Sequence, residues 1–152
     1  MHEAFVYEFN EALNRHDVGA LIDYYAPYAV MFSGDYREPV RGRESIGHWW
    51  AAIFRAFPDL NIKLLRSYES GDWVVSEYSW TGTNTGLLEV PWGTVAPTGK
   101  RVTMDGVCVC RRSAEGLIVE DKGYFDTLSL FSQLGLLSYV AEYAKAPMAK
   151  AA

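Results

Sequence analysis

Basic residues are in short supply. The chain of 152 residues has 14 Lys and Arg against 19 Asp and Glu, a formal net charge of −5. It therefore lacks the basic surface with which a general nucleic-acid binder neutralises phosphates. Long apolar runs are missing too: none approaches the roughly 20 residues that a membrane-spanning helix needs. The first residues, MHEAFVYEF, place no basic region ahead of an apolar one, so no secretory leader is expected. No nucleic-acid partner, no membrane and a cytoplasmic location follow as expectations. Cysteine is limited to Cys108 and Cys110. Alternate residues of one strand share a face and make poor disulfide partners. The three histidines, His2, His16 and His48, supply no spacing for a metal set, so reduced core thiols and no metal are expected. Repeats are absent, and only the Ala/Lys-rich 147–152 reads as a flexible tail behind one domain spanning 1–146. Aromatics are abundant instead: seven Phe, ten Tyr and five Trp, 14% of the chain.

Periodicity orders the rest. Phe5, Phe9, Ala12 and Leu13 fall at helical spacing, and Asp17 is a plausible N-cap for a short second helix through Leu21, Ile22 and Tyr25. Ala29 to Phe32 reads as a short strand, and 33–42 as a loop. Ile46, Trp49, Trp50, Ile53, Phe54 and Phe57 form one face of a third helix that Pro58 stops. Four strand-like runs follow: Leu60–Tyr68, Trp73–Thr83, Arg101–Arg112 and Leu117–Phe125, with turn signals at Gly71-Asp72 and Ala114-Glu115-Gly116. Leu87 to Gly99, with Pro91, Gly93, Pro97 and Gly99, reads as too broken for a strand. Asp126 caps a C-terminal helix that Gly135 ends. Helices first and a meander afterwards predict an α+β fold, a curved sheet wrapped on helices.

The stretches LNRHDVGALIDYYA, PVRGRESI, AFPDLNIKL, TGTNTG, PTGKRVT and YFDTLSLFSQLG, in this order from about Asn10 to Gly135, resemble the SnoaL-like polyketide (ester) cyclases. These belong to the nuclear transport factor 2 superfamily, which also holds ketosteroid isomerase. The resemblance implies a cone-shaped barrel: a curved antiparallel sheet packed on three N-terminal helices, with a C-terminal helix, around one apolar pocket. It also implies a homodimer, a small hydrophobic ligand and no cofactor. In the cyclases an Asp just before the C-terminal helix is the acid/base and a His on the preceding strand assists it. Those positions here are Gly123 and Cys108. The isomerase's base and hydrogen-bond donor fall on Ser33 and Phe9, and many relatives carry His where this chain has Asn84. Both acid/base sets are absent.

Strand parity then selects substitutes. If Cys108 faces inward, so do Met104, Gly106 and Cys110; if Gly123 does, so do Asp121 and Phe125; Ser76, Tyr78, Trp80 and Asn84 share a face. Asp121 is a base candidate on that parity, or else an exposed hairpin charge beside Glu120 and Lys122. Asp35 is a second base candidate in the loop, or a turn residue after Gly34. Tyr78 or Asn84 would hold an enolate oxygen, although Asn84 serves equally to satisfy turn backbone. Trp49, Trp50, Trp80, Cys108 and Phe125 would line the ligand wall, with one of the two adjacent Trp rings expected in the core. The reading is a cofactor-free cyclase, isomerase or lyase moving a proton next to a carbonyl of a polyketide-like or terpenoid-like substrate. Cofactor-independent oxygenation is its variant. A non-catalytic module holding an apolar ligand is the alternative. Outward Val75, Val107 and Val109 suggest dimerisation across the convex face.

Overall fold

The computed structural model describes residues 2–34 and 38–145. Helix α1 (His2–Asn14) and the five-residue α2 (Val18–Ile22) lead into strand β1 (Tyr25–Phe32). Asp17 caps α2 by accepting the Ala20 amide at 3.0 Å. A two-residue β2 (Val40–Arg41) precedes helix α3 (Arg43–Ala56), and β3 (Asn61–Ser70) and β4 (Trp73–Thr83) follow. Then come β5 (Leu88–Val90), β6 (Gly93–Val95), β7 (Arg101–Arg112), β8 (Ile118–Phe125), α4 (Thr127–Gln133) and α5 (Leu137–Lys145).

Six strands form one sheet in the order β2-β1-β8-β7-β4-β3. Its neighbours are antiparallel except for β1 against β8, which run parallel. Three irregularities in register, between Tyr25 and Val30, Leu64 and Arg66, and Arg111 and Arg112, are the local extra-residue kinks that increase bend and twist. The helices pack on the concave face, where Leu21, Tyr25, Ile46, Val74, Val102 and Ile118 are almost wholly buried. Asn14 joins α1 to β3 by accepting the Ile62 amide at 2.7 Å and donating to the Ile62 carbonyl at 2.8 Å. This is the α+β arrangement that the periodicity predicts, and its open, bent sheet is consistent with the cone that the resemblance implies.

Three expectations fail locally. The second helix stops at Ile22 and Tyr25 starts an eight-residue strand, because a bulge lets Pro27 sit in β1 without a ladder hydrogen bond. The stretch Leu87–Gly99 contains the hairpin β5–β6. Pro91 and Trp92 occupy its bend, so the breaker residue ends a strand without abolishing the pair. The C-terminal region is two helices: Asp126 caps α4 through Ser129, Gly135 adopts φ 74°, and α5 restarts beyond it.

Candidate active site

Between helices and sheet lies one apolar cavity of about 190 Å3. Each strand contributes alternate residues: Ser76, Tyr78 and Trp80 from β4, Cys108 and Cys110 from β7, and Asp121, Gly123 and Phe125 from β8. Helices α1 and α3 supply Phe5, Phe9, Trp49, Trp50 and Ile53, and the hairpin supplies Leu88 and Val90. Trp80 meets Phe57 edge-on at 5.7 Å. Cross-strand register explains the convergence. Ser76, Cys108 and Gly123 stand opposite one another, Val74, Cys110 and Asp121 form the next row, and Tyr78, Gly106 and Phe125 the row before.

The floor is shaped by two missing side chains. A Cβ on Gly106 would lie 2.6 Å from the Tyr78 hydroxyl, so the Tyr78 ring lies over that position only because it is glycine. A Cβ on Gly123 would lie 3.9 Å from the same hydroxyl and 3.8 Å from the Phe32 carbonyl. That distance leaves room for a small group beside the phenol.

Asp121 is the polar centre. It is 7% exposed, and both oxygens are engaged: the Tyr25 hydroxyl donates to Oδ2 at 2.6 Å, and the Cys108 thiol to Oδ1 at 2.9 Å. Burial raises its pKa above the usual carboxylate value, because the charged form loses water. The hydrogen bonds from Cys108 and then Tyr25 oppose that rise. Its neighbours respond in kind. Burial, then the Asp121 charge, holds the Tyr25 phenol well above its ordinary value, and the Trp50 indole N–H nearby pulls weakly the other way. Burial and then Asp121 likewise push Cys108 well up and Cys110 up to about 12. Burial raises Tyr78, with Cys108 and Asp121 adding to it. Neutral phenols and thiols around a carboxyl of raised pKa form a site suited to moving protons, not to nucleophilic thiolate chemistry.

Most of the residues singled out from sequence meet here. Asp121, Tyr78, Trp49, Trp50, Trp80, Cys108 and Phe125 all line the cavity. Both adjacent Trp rings do so, contrary to the expectation that one would be core. They meet at 85° and 5.0 Å, so the 100° helical offset is absorbed by the side chains. Asn84 is not a lining residue. It is fully buried, donates to the Ala56 and Gly86 carbonyls and accepts from the Thr98 amide and hydroxyl, so its amide is spent on backbone. Asp35 lies outside the described residues. Phe57 is buried in the core and Phe5 and Phe9 pack against it, and all three also reach the cavity wall, whereas Phe54 stacks on His16 at 4.4 Å. Tyr25 is a site residue that a helical reading hides; the bulge between Tyr25 and Val30, with Pro27 exposed, breaks the alternation that would have marked it. Among the described residues no group of three or more His, Cys, Asp or Glu is placed to hold a metal ion.

The sequence profile of the SnoaL-like domain matches residues 6–121. No curated protein matches the chain. Among solved structures, AclR from Streptomyces galilaeus, a candidate hydroxylase, is 27% identical with a TM-score of 0.72, over 88% of this chain and 94% of that one. IdmH from Streptomyces antibioticus, a candidate polyketide cyclase, is 28% identical with a TM-score of 0.69, over 88% and 97%. A protein from Catenulispora acidiphila with a ketosteroid isomerase-like fold shares the fold at 21% identity, TM-score 0.71, over 86% and 92%.

Proposed function

The chain belongs to the SnoaL-like domain family, and from that premise we propose that it transfers a proton next to a carbonyl of a neutral, apolar, polyketide-like or terpenoid-like substrate, as a cyclase, isomerase or lyase. The supporting observation is the buried Asp121 carboxyl at the floor of an aromatic cavity, beside a phenol with an unused hydroxyl. Tyr78 makes no side-chain hydrogen bond among the described residues. In this reading a substrate carbonyl sits in the gap over Gly123 and accepts from the Tyr78 hydroxyl. Ionised Asp121 removes a proton from the neighbouring carbon, and the electron pair moves to the carbonyl oxygen. The enolate then receives the proton back at another atom, or attacks an electrophilic carbon to close a ring. Desolvation matters to both partners. It raises the Asp121 pKa towards the working range of a general base, and it strengthens the Tyr78 hydrogen bond to developing charge. Kinship to AclR and IdmH supports a small-molecule enzyme.

A thermal-shift screen of neutral bicyclic and polycyclic ketones tests it, with Trp80→Ala and Asp121→Asn alongside. Ketones that stabilise the wild type but not Trp80→Ala agree with the proposal. If no neutral carbonyl compound stabilises the wild type, the proposal fails. One observation favours a second reading, a module that holds an apolar ligand without turnover. Both Asp121 oxygens already carry a donor; the resemblance to the cyclases, which implies Gly123 and Cys108 at their acid/base positions, agrees with it. That reading predicts retained ligand binding with no proton exchange.

We further propose a cytoplasmic homodimer. On the convex face Tyr68, Val75, Val109 and Lys122 form one cross-strand row and Glu77, Val107 and Tyr124 the next. Tyr68, Trp73 and Tyr124 are 52%, 40% and 57% exposed there, an apolar patch of the kind that subunits cover.

A further inference from the structure

The two oxygens of Asp121 have unlike surroundings. Oδ2 is held by Tyr25, whose side chain is 0% exposed and does not line the cavity. Oδ1 is held by Cys108, which is half-buried and does line it. The cavity-lining donor is thus at Oδ1 and the enclosed donor at Oδ2. The donors also differ in kind. A phenol O–H at 2.6 Å is a strong donor to a carboxylate, whereas a thiol is a weak one. A weak donor fixes the rotamer while leaving lone-pair density for an incoming proton.

We propose that Oδ1 of Asp121 is the oxygen that takes and returns the ligand proton, that Cys108 is a positioning residue which holds that oxygen and tunes its basicity, and that Tyr25 anchors the carboxyl from behind. This rests on the proton-transfer reading above and names the tuning device of the same site. The titratable groups that face the carboxyl are Tyr25 from β1, Tyr78 from β4, and Cys108 and Cys110 from β7. Glu120 and Lys122 point to the other face of β8 and pair with each other at 2.9 Å. Of the facing groups only Tyr25 and Cys108 donate to Asp121, so replacing either must change the relative stability of its two protonation states.

The test is a pH titration of protein labelled at the Asp carboxyl carbon with 13C, followed by NMR without any ligand. The Asp121 midpoint is expected to order as Cys108→Ala highest, wild type next, Cys108→Ser lowest, since alanine removes the donor and serine supplies a stronger one. Tyr25→Phe is expected to raise the midpoint as well. In the infrared spectrum the Cys108 S–H band of the wild type should lie at lower frequency than that of Asp121→Asn, a readout that needs no Cys108 variant to fold. Coincident midpoints for wild type, Cys108→Ser and Cys108→Ala, or an S–H band that Asp121→Asn leaves in place, would overturn the proposal. Because the titration is ligand-free, it separates the two readings. The expected order without any catalysed proton exchange sinks the function and leaves the tuning. Catalysed exchange with coincident midpoints sinks the tuning alone.

Discussion

Asp121 makes the fold's stability depend on pH. Its folded-state pKa is raised above the unfolded value of about 3.9. Between the two values the folded state keeps a proton that the unfolded state has released, so stability falls as pH rises through that window. Above it the folded chain carries a desolvated charge, and each tenfold difference in proton affinity between folded and unfolded chain costs roughly 1.4 kcal/mol. Asp121→Asn should therefore match the wild type near pH 4 and melt higher at pH 8. About 2–4 °C per kcal/mol is expected for a chain of this size, checked by thermal denaturation across pH. Equal pH slopes for the two proteins would contradict the buried carboxyl. The floor glycines give a paired prediction. Gly106→Ala forces the Tyr78 ring off its seat and should cost about 1–3 kcal/mol of stability by chemical denaturation. Gly123→Ala meets only ordinary contacts at 3.8 and 3.9 Å, so it should fold like the wild type. By filling the gap it should weaken binding of any ketone that stabilises the wild type, by about tenfold or more.

At the scale of elements, Asn84 has a role that is visible only in three dimensions. It ties the start of the β4–β7 connection to the last turn of α3 and to Thr98, through hydrogen bonds of 2.9 to 3.2 Å. Asn84→Ala takes their side-chain partner from the Gly86 carbonyl and the Thr98 amide, while the Ala56 carbonyl keeps the Thr85 and Gly86 amides, and should cost about 2 kcal/mol, at roughly 1 kcal/mol per net bond. Denaturation measures that loss, and ligand affinity of the folded fraction should not change. The β5–β6 hairpin is the weaker element. Trp92 anchors it against Phe131 at 4.9 Å, and Leu88 and Val90 bury from it into the core. Trp92→Ala should remove hydrogen-exchange protection from 88–95 while β4 and β7 keep theirs. Strands of eleven and twelve residues are legible in the sequence because their alternation is long. Three-residue strands carry too few positions to show a period, and the bulge in β1 shifts the alternation that would identify Tyr25. Parity serves the site well where register is regular: Asp121, Tyr78 and Cys108 emerge from counting along β8, β4 and β7. It fails past Thr83, where the strand ends and Asn84 turns to the backbone.

Seen whole, the molecule divides its aromatics between core, cavity and outer face. One set closes the cavity, and Tyr68, Trp73 and Tyr124 remain on the convex face. Dimerisation there predicts that sedimentation at micromolar concentration gives twice the chain mass, and that Val107→Glu with Val109→Glu gives the monomer; a wild-type monomer would contradict it. The aromatic excess is legible in composition, but its division between core, cavity and outer face depends on strand register that composition does not carry. The central claim concerns the cavity: Asp121 moves a proton beside a ligand carbonyl. It is tested most directly by following deuterium exchange at the α-carbons of 2-tetralone, a neutral bicyclic ketone, in D2O by proton NMR. The wild type should exchange these protons well above the buffer rate, and Asp121→Asn should lose about 100-fold or more, the usual contribution of a general base. Exchange by Asp121→Asn at the wild-type rate, or by the wild type at the buffer rate, would contradict the account.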